Sequence, residues 1–169
     1  ATGFSRLEGP IRCVRNHVRT IRKGRMMRIF EFPVRGTENP DEGHLQFIEE
    51  ERHVPFPIRR VYYSTGVKAG VVRGRHAHRA LEQVLVCVSG GVRLDIDTGR
   101  ERESCVLDDP SVGAYVGPRM WHTMTWLRDD SVLLVLASDF YSEADYIRNY
   151  DDFVRLVREP DDGKRGSDR

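Results

Sequence analysis

The chain has 169 residues, of which 39% are hydrophobic and 31% are charged. This size and balance are typical of one soluble globular domain, and they exclude an intrinsically disordered chain. No apolar run approaches the ~20 residues that a membrane span requires, so the sequence predicts no membrane association.

The net charge of +1 conceals a basic N-terminal segment. Residues 1–30 contain eight lysines and arginines and one acid, Glu8. Few aromatic residues interleave with these cations and no nucleic-acid motif follows them, so phosphate binding is the weaker interpretation. We predict no nucleic-acid partner, a basic extension or leader over 1–28, a folded domain over 29–158 and a polar tail over 159–169.

Three cysteines, Cys13, Cys87 and Cys105, cannot all pair within one chain. Their spacing matches no zinc motif. Unpaired thiols are typical of a reducing compartment, so we predict a cytoplasmic protein.

Short segments with a period of two dominate the middle of the chain, as expected for β-strands. Val92–Asp97 alternates strictly, and Gln83–Ser89 is a nearly continuous apolar run. Gly90-Gly91 between them is a hairpin signal. Other short strands are predicted over 58–65, 103–107, 113–116, 122–127 and 131–137. This spacing predicts an all-β sandwich or barrel.

One segment near the C-terminus has the period of a helix. Ser142 can act as the N-cap, and the acids Glu143 and Asp145 favour the first turn. Apolar side chains then recur at spacings of three and four from Tyr146 to Val157. We predict a helix that packs on the outside of the barrel.

Between Gly70 and Gly90 two histidines, His76 and His78, stand two residues apart on a predicted strand. Residues at this spacing face the same side, so both imidazoles can point into a barrel interior. Arginines flank the pair, and neutral imidazoles beside fixed cations suit proton transfer on a phosphate-bearing substrate. The alternative is a pair of satisfied polar residues at the barrel mouth.

This segment is similar to the first motif of the cupins, in which an acid follows His-x-His at a fixed distance. Gln83 occupies the acid position, and Glu82 lies one residue away on the opposite face of the strand. The second cupin motif normally provides another histidine, but His122 comes one residue early after Pro118. A divalent metal needs three or four anionic or imidazole ligands. We therefore predict no metal site, with metal binding as the alternative.

From about Glu42 to Phe153 the sequence resembles the dTDP-4-keto-6-deoxyglucose 3,4-ketoisomerases, which are small cupins of deoxysugar biosynthesis. The matching segments are 55–63, 73–78, 81–87, 115–118 with Trp121-His122, 136–139 and 145–153. The resemblance implies a cupin jelly-roll β-barrel with a C-terminal α-helix and no metal. It also implies homodimers that exchange N-terminal strands.

The same resemblance implies that the ketone of a dTDP-linked sugar moves from C4 to C3 through an enediol or enediolate. No redox cofactor is needed, because the oxidation level of the sugar does not change. His76 would shuttle the proton, and His78 would hold its orientation or contact sugar hydroxyls. Tyr62 matches the family's tyrosine that moves protons between the C3 and C4 oxygens.

Further residues are expected to bind the substrate. Three arginines are candidates for contacts with the pyrophosphate: Arg60, Arg73 and Arg75. Gln83 is expected beside the histidine pair. His122 agrees with family members that form the 6-deoxy-galacto product, whereas Glu42 stands where those enzymes have an arginine. We expect the 6-deoxy-galacto 3-ketone.

Other functions stay open at this point. A 3,5-epimerase of the same fold needs bases on both sides of the sugar ring, usually a His–Asp pair with an acid tyrosine. The sequence places no aspartate beside His76. A non-catalytic nucleotide-sugar module and a metal-dependent cupin oxygenase are the remaining alternatives.

Overall fold

The computed structural model describes residues 27–158. The predicted extension and tail therefore lie outside the described residues, apart from positions 27 and 28. Within that range the chain forms β-strands and one α-helix. The strands are β1 (Ile29–Glu31), β2 (Val34–Gly36), β3 (His44–Gln46), β4 (Arg60–Ser64), β5 (Val72–His78), β6 (Gln83–Ser89), β7 (Val92–Asp97), β8 (Arg102–Leu107), β9 (Val112–Val116), β10 (Trp121–Trp126), β11 (Val132–Ala137) and β12 (Tyr146–Ile147), and the helix is α1 (Tyr150–Arg158).

Ten strands form two antiparallel sheets of five. One sheet has the order β1-β9-β6-β11-β4 and the other has the order β12-β5-β10-β7-β8. Side chains of both sheets meet in one buried cluster, with Leu85 and Leu133 from the first sheet and Leu94 and Trp126 from the second. The apolar core therefore lies between two facing sheets, which agrees with the predicted all-β architecture.

The central strand β6 is buried on both faces, which explains its nearly continuous apolar sequence. Leu85 and Cys87 face the core between the sheets. Val84 and Val86 face outward, where they are covered by the N-terminal segment through residues such as Phe32. The N-terminal segment therefore excludes water from the outer face of this sheet. The inner face of the same sheet forms one wall of the cavity described below.

The prediction of a hairpin at Gly90-Gly91 is wrong. β6 pairs with β9 and β11, whereas β7 pairs with β8 and β10, so the turn crosses from one sheet to the other. Gly90 has a φ of 81°, and a Cβ there would lie within 2.5 Å of Ser131. Because this glycine packs so closely, the turn can form a tight corner of the barrel.

The C-terminal helix is shorter than predicted. Ser142 makes no side-chain capping bond, and Tyr146 and Ile147 form a strand against β5. The helix begins at Tyr150, where the side chain of Asn149 accepts hydrogen bonds from two backbone amides of the first turn. At Tyr146 and Ile147 the pairing with the edge of β5 outweighs the local helical pattern. The helix packs on the outside of the barrel through Phe153, as expected.

The hairpin of β2 and β3 pairs with neither large sheet in this single chain. A short 3-10 turn, Pro40–Glu42, connects its two strands. No helix within the described range is long and apolar enough to cross a membrane.

Candidate active site

A cavity of about 410 Å³ lies between the two sheets. Strands β4, β6 and β11 form one wall, and β5 and β10 form the other. The polar side chains that line it are Tyr62, Ser64, Arg73, Arg75, His76, Gln83, His122, Tyr146 and Arg148. The structure therefore brings together most of the site residues predicted from the sequence.

The histidine pair lies at the end of β5, as the alternation predicts. His76 lines the cavity, and His78 is buried beside it with a ring-centroid separation of 5.0 Å. A β-bulge precedes the pair, because Gly74 pairs with Thr123 while His76 pairs with His122. The extra residue changes which side chains of β5 face inward, and it sets the histidines toward the cavity.

Glycine is required at the first residue of this bulge. Gly74 has a φ of 88°, and a Cβ on it would lie 2.8 Å from the carbonyl oxygen of His122. Arg75 also has a positive φ, 57°, and its guanidinium donates to the carbonyl of Val72. The backbone that orients His76 is therefore held in a conformation that most residues disfavour.

His78 forms a pair with Asp145 that the sequence analysis did not anticipate. Its Nδ1 lies 2.9 Å from the Asp145 Oδ2, and the other carboxylate oxygen accepts a 2.8 Å bond from the amide of Ala80. The backbone carbonyl of Asp145 also accepts from the amide of Arg79. The carboxylate is thus held by the turn after β5 and fixes the orientation of the His78 ring.

On the facing sheet, the side chain of Gln83 donates a 2.7 Å hydrogen bond to the hydroxyl of Tyr62. Gln83 is buried, and Tyr62, which the family resemblance implied as a site residue, lines the cavity. Because the phenol oxygen accepts this bond, its own proton remains available to a group in the cavity. Glu82 faces away, where it accepts a bond from Tyr115, so the cupin acid position holds a neutral amide.

His122 is in register with the pair, contrary to the spacing argument. It lies opposite His76 on β10, with ring centroids 4.5 Å apart, and it is only 2% exposed. Arg119, with a φ of 56°, closes a tight turn and donates its amide to the carbonyl of His78. This turn compensates for the missing residue, and a nitrogen of each of His76, His78 and His122 lies within 4.8 Å of the others.

Burial keeps these imidazoles neutral. It lowers the pKa of His76 to about 4, with smaller contributions from His78 and Arg148, and it lowers the pKa of His122 to about 3. Burial also lowers the pKa of His78, although its bond to Asp145 opposes the change. On the other wall burial raises the pKa of Tyr62 to about 12. At neutral pH the cavity contains neutral bases and a protonated phenol.

The predicted substrate-binding residues lie in different surroundings. Arg73 and Arg75 line the cavity. Arg60 is half-buried, with its guanidinium 5.2 Å from the ring centre of Tyr62. Glu42 lies exposed on the turn between β2 and β3, outside the residues that line this chain's cavity.

Sequence analysis did not identify Asp145 or Arg148 as site residues. Arg148 lines the cavity mouth, where it forms a bidentate ion pair with Glu143 and lies 4.3 Å from the ring centre of Tyr146. The sequence predicts a helix over the segment that contains these residues, whereas Tyr146–Ile147 is a strand. The signal that could have identified them is the β-branched or aromatic pair Tyr146-Ile147, which favours a strand.

A jelly-roll barrel that presents histidines to an internal cavity is a cupin. A family model described as FdtA, WxcM-like, C-terminal, matches residues 25–158. The chain is 50% identical over 115 residues to a TDP-4-oxo-6-deoxy-alpha-D-glucose-3,4-oxoisomerase of Aneurinibacillus thermoaerophilus, covering 68% of this chain and 83% of that protein. The chain belongs to this FdtA/WxcM-like family, and the predicted family is confirmed.

Solved structures agree with this assignment. A mutant of the 3,4-ketoisomerase QdtA from Thermoanaerobacterium thermosaccharolyticum, in complex with TDP-4-keto-6-deoxyglucose, is 40% identical with a TM-score of 0.73, covering 78% of this chain and 93% of that one. The WlaRB TDP-quinovose 3,4-ketoisomerase of Campylobacter jejuni is 40% identical with a TM-score of 0.71, covering 77% and 98%. The predicted cupin jelly-roll with a C-terminal helix is confirmed.

Proposed function

We propose that this protein is an isomerase that moves the ketone of TDP-4-keto-6-deoxyglucose from C4 to C3. One observation carries the proposal: a neutral His76 and a protonated Tyr62 stand on facing walls of one cavity. A keto–hydroxyl exchange needs a base for carbon and a group that moves a proton between two oxygens. The relatives named above are called isomerases of this kind, which supports the same reading.

In the proposed reaction His76 removes the proton from C3. The electron pair of the C–H bond enters the C3–C4 double bond of an enediolate, and the charge develops on the C4 oxygen. His76 then returns its proton to C4, and the ketone forms at C3. The proton removed equals the proton returned, so no oxidant or reductant is consumed.

Tyr62 serves the oxygens in this scheme. Its hydroxyl gives a proton to the C4 oxygen as charge develops there, and it regains one from the C3 hydroxyl. The Gln83 amide donates to the same phenol oxygen, so it stabilises negative charge on Tyr62 between these two transfers. General acid–base catalysis of this kind contributes about 10²–10⁴-fold to the rate.

His78 and Asp145 position the base. His78 is buried and does not line the cavity, whereas the ring of His76 lies against it and is in contact with the cavity. These positions favour His76 as the proton shuttle.

The position of His122 next to His76 favours the 6-deoxy-galacto configuration at C4, and we include this configuration in the proposal.

The substrate's pyrophosphate would bind at the mouth of the cavity, where arginines gather. Arg73, Arg75 and Arg148 line the cavity and remain largely exposed. Guanidinium groups bind phosphate oxygens in a bidentate manner, which makes them suited to this contact.

The proposed location of the protein is the cytoplasm, in keeping with the free thiol of Cys87.

The active form in this proposal is a homodimer that exchanges N-terminal strands. Among residues 27–158 the β2–β3 hairpin pairs with neither large sheet, and β4 is an open sheet edge. Next to that edge Val61 is 54% exposed and Tyr63 is 70% exposed. An exchanged strand would cover both features, and it would carry Glu42 to the partner, where its predicted substrate contact could be made.

One observation favours a second function, 3,5-epimerisation. The His78–Asp145 pair has the His–Asp composition that such an epimerase uses, although the aspartate contacts His78 and leaves the cavity-lining His76 without one. In an epimerase, solvent deuterium would enter C5 of the product. In a 3,4-ketoisomerase C5 would stay protonated.

The decisive experiment is incubation of the purified protein with TDP-4-keto-6-deoxyglucose, followed by NMR of the product in deuterated buffer. A ketone at C3 supports the proposal, and the couplings of H4 in a parallel reaction in ordinary water report the configuration. His76→Asn should bind TDP and show no turnover, while His53→Asn, which changes a histidine that does not line the cavity, should retain activity. An active His76→Asn variant would remove the basis of the mechanism.

A further inference from the structure

We propose that Tyr146 separates His76 from water, so that the proton taken from C3 of the sugar returns to C4 without exchanging with solvent. This role rests on the proposed function, because it concerns the proton that His76 carries between the two carbons. Tyr146 acts through His76 and is therefore a positioning residue.

Tyr146 lies on the flank of His76 that is nearest to solvent. Strand β5 carries His76, and its neighbours in the sheet are β10 and β12. His122 of β10 is buried and covers one side of the His76 ring, with ring centroids 4.5 Å apart. Tyr146 of β12 covers the other side at 4.9 Å. Because β12 is the last strand of this sheet, Tyr146 stands between the base and the open edge.

The pairing of β12 with β5 fixes the position of the Tyr146 ring. Tyr146 is directly opposite His78 in the register of the two strands, and opposite residues of antiparallel strands point to the same face. The ring centroids of Tyr146 and His78 are 4.4 Å apart. Tyr146 is also half-buried and lines the cavity. One ring therefore covers both histidines of β5 from the side of the cavity mouth.

Arg148 and Glu143 hold this ring from its outer side. The guanidinium of Arg148 lies 4.3 Å from the centre of the Tyr146 ring. Two hydrogen bonds of 2.8 and 2.9 Å join the guanidinium to Glu143, and they lower the pKa of that carboxyl to about 2. Tyr141 donates a further hydrogen bond to Glu143. A planar guanidinium fixed in this way stacks on the aromatic face and limits the movement of Tyr146.

The charge state of His76 agrees with a dry environment. Burial is the largest cause of its lowered pKa, which is about 4. The charged and titratable side chains that face this ring from the surrounding elements are His78 on β5, His122 on β10, Tyr62 on β4, and Glu143, Tyr146 and Arg148 around β12. Among them His78 and Arg148 lower the pKa and Glu143 raises it, each by less than burial does. Loss of a ring that excludes water should therefore raise this pKa.

Exclusion of water matters for the hydrogen that the base carries. After the abstraction His76 is an imidazolium, and its new N–H bond holds the former C3 proton. Contact with water would exchange this proton before it reaches C4, and closed active sites prevent such proton leakage. A base that keeps its proton delivers it to the ring face from which it was taken. The C3 hydrogen of the substrate and the C4 hydrogen of a galacto product lie on one face, so a shielded transfer agrees with the proposed configuration.

The test measures the hydrogen at C4 after turnover by the full-length protein in deuterated buffer. At low conversion the unchanged protein should leave protium at C4 in most product molecules, because the C3 proton is transferred internally. Tyr146→Val keeps a strand-forming residue but removes the ring, so most product molecules should carry deuterium at C4. Tyr146→Phe keeps the ring and should give the deuterium fraction of the unchanged protein. Phe140→Val, which changes an exposed aromatic residue of the same segment, is the matched control.

A second measurement does not depend on turnover. In proton NMR titrations of the free protein, the His76 resonance is assigned by its absence from His76→Asn. Its pKa should be higher by about one unit or more in Tyr146→Val than in Tyr146→Phe, because a solvated imidazole is easier to protonate. Arg148→Lys keeps the positive charge without the planar stack, so it should give a smaller rise of the same sign.

Complete deuteration at C4 by the unchanged protein would overturn the proposal. Equal deuterium fractions in Tyr146→Val and Tyr146→Phe would overturn it too, since the ring would then have no role. If Tyr146→Val does not fold, Arg148→Lys decides, and a deuterium fraction equal to that of the unchanged protein would count against the shield. If the unchanged protein forms no 3-ketone, the proposed function fails and the internal transfer fails with it, while the titration of His76 still shows whether Tyr146 shields that ring.

Discussion

His78 Nδ1 and Asp145 Oδ2 lie 2.9 Å apart, which joins the last residue of β5 to the segment just before β12. The two residues are far apart in sequence, and the contact depends on β12 pairing with the edge of β5. The orientation of a buried imidazole in the site is therefore determined by the C-terminal segment. A change at Asp145 should therefore affect chemistry rather than nucleotide binding.

Asp145→Asn tests this relationship. The amide can still accept the bond from Ala80, but it removes the charge that holds His78, so His76 loses a fixed neighbour. Hydrogen bonds to a charged group contribute about 1.5–3 kcal/mol, so we expect kcat to fall by roughly 10–100-fold while KM changes little. Asp139→Asn, an exposed aspartate before the same segment, is the control. A rise in KM with unchanged kcat would contradict a positioning role.

Tyr62→Phe should lower kcat by about 10²–10⁴-fold, because the variant lacks the proton that the scheme transfers to the C4 oxygen. The ring and its packing are retained, so TDP affinity should change little, whereas the melting temperature should fall somewhat because the buried Gln83 amide loses its acceptor. Tyr63→Phe is a matched control, because that neighbouring side chain lies on the opposite face of β4 and does not line the cavity. In steady-state kinetics the kcat of Tyr62→Phe should therefore lie about 10²–10⁴-fold below the kcat of Tyr63→Phe.

The period of the sequence was enough to predict that His76 and His78 share one face of β5, because alternation on a strand is a local property. It does not predict the bulge at Gly74, which turns that face toward the cavity. It could not predict the pair between His78 and Asp145, since that contact depends on where β12 docks. The segment around Tyr146 also contains a helical pattern, and only pairing with β5 decides between the two structures.

The register of His122 could not be predicted for a similar reason. Motif spacing counts residues, whereas the position of His122 depends on a turn with Arg119 in the left-handed region. Gly90-Gly91 is another case, because the same dipeptide can close a hairpin or a corner between sheets. Nonlocal packing against Ser131 decides which one forms.

The pH dependence of kcat/KM should reveal the buried base. His76 acts in its neutral form, and burial lowers its pKa to about 4, so activity should be constant from pH 8 to about pH 5 and fall only below it. Activity falls at lower pH because a protonated imidazole cannot accept the proton from C3. Circular dichroism should be recorded over the same pH range, since acid also destabilises a fold with buried neutral histidines. A fall centred near pH 6.5 would show a solvated base instead.

Gly74→Ala should disturb the bulge that directs His76. The new Cβ would meet the carbonyl oxygen of His122 at 2.8 Å, in addition to the strain of a positive φ. We expect the free energy of unfolding to fall by about 1–3 kcal/mol and kcat to fall with it. Gly70→Ala separates the two effects, because Gly70 also has a positive φ, 81°, and no atom lies within 4 Å of its added Cβ. Equal kinetic losses in both variants would show that the contact with β10 has no role.

Gln83→Glu should lower kcat, because it reverses the hydrogen bond to Tyr62. The new carboxylate accepts a hydrogen bond from the Tyr62 hydroxyl, where the amide of Gln83 now donates one, so the phenol proton is no longer offered to the substrate. We expect kcat to fall at least tenfold, which is about 1.4 kcal/mol. Gln83→Leu removes the hydrogen bond without adding charge and leaves the phenol proton available, so its kcat should fall less. Equal kcat values for the two variants in steady-state kinetics would contradict this role of the amide.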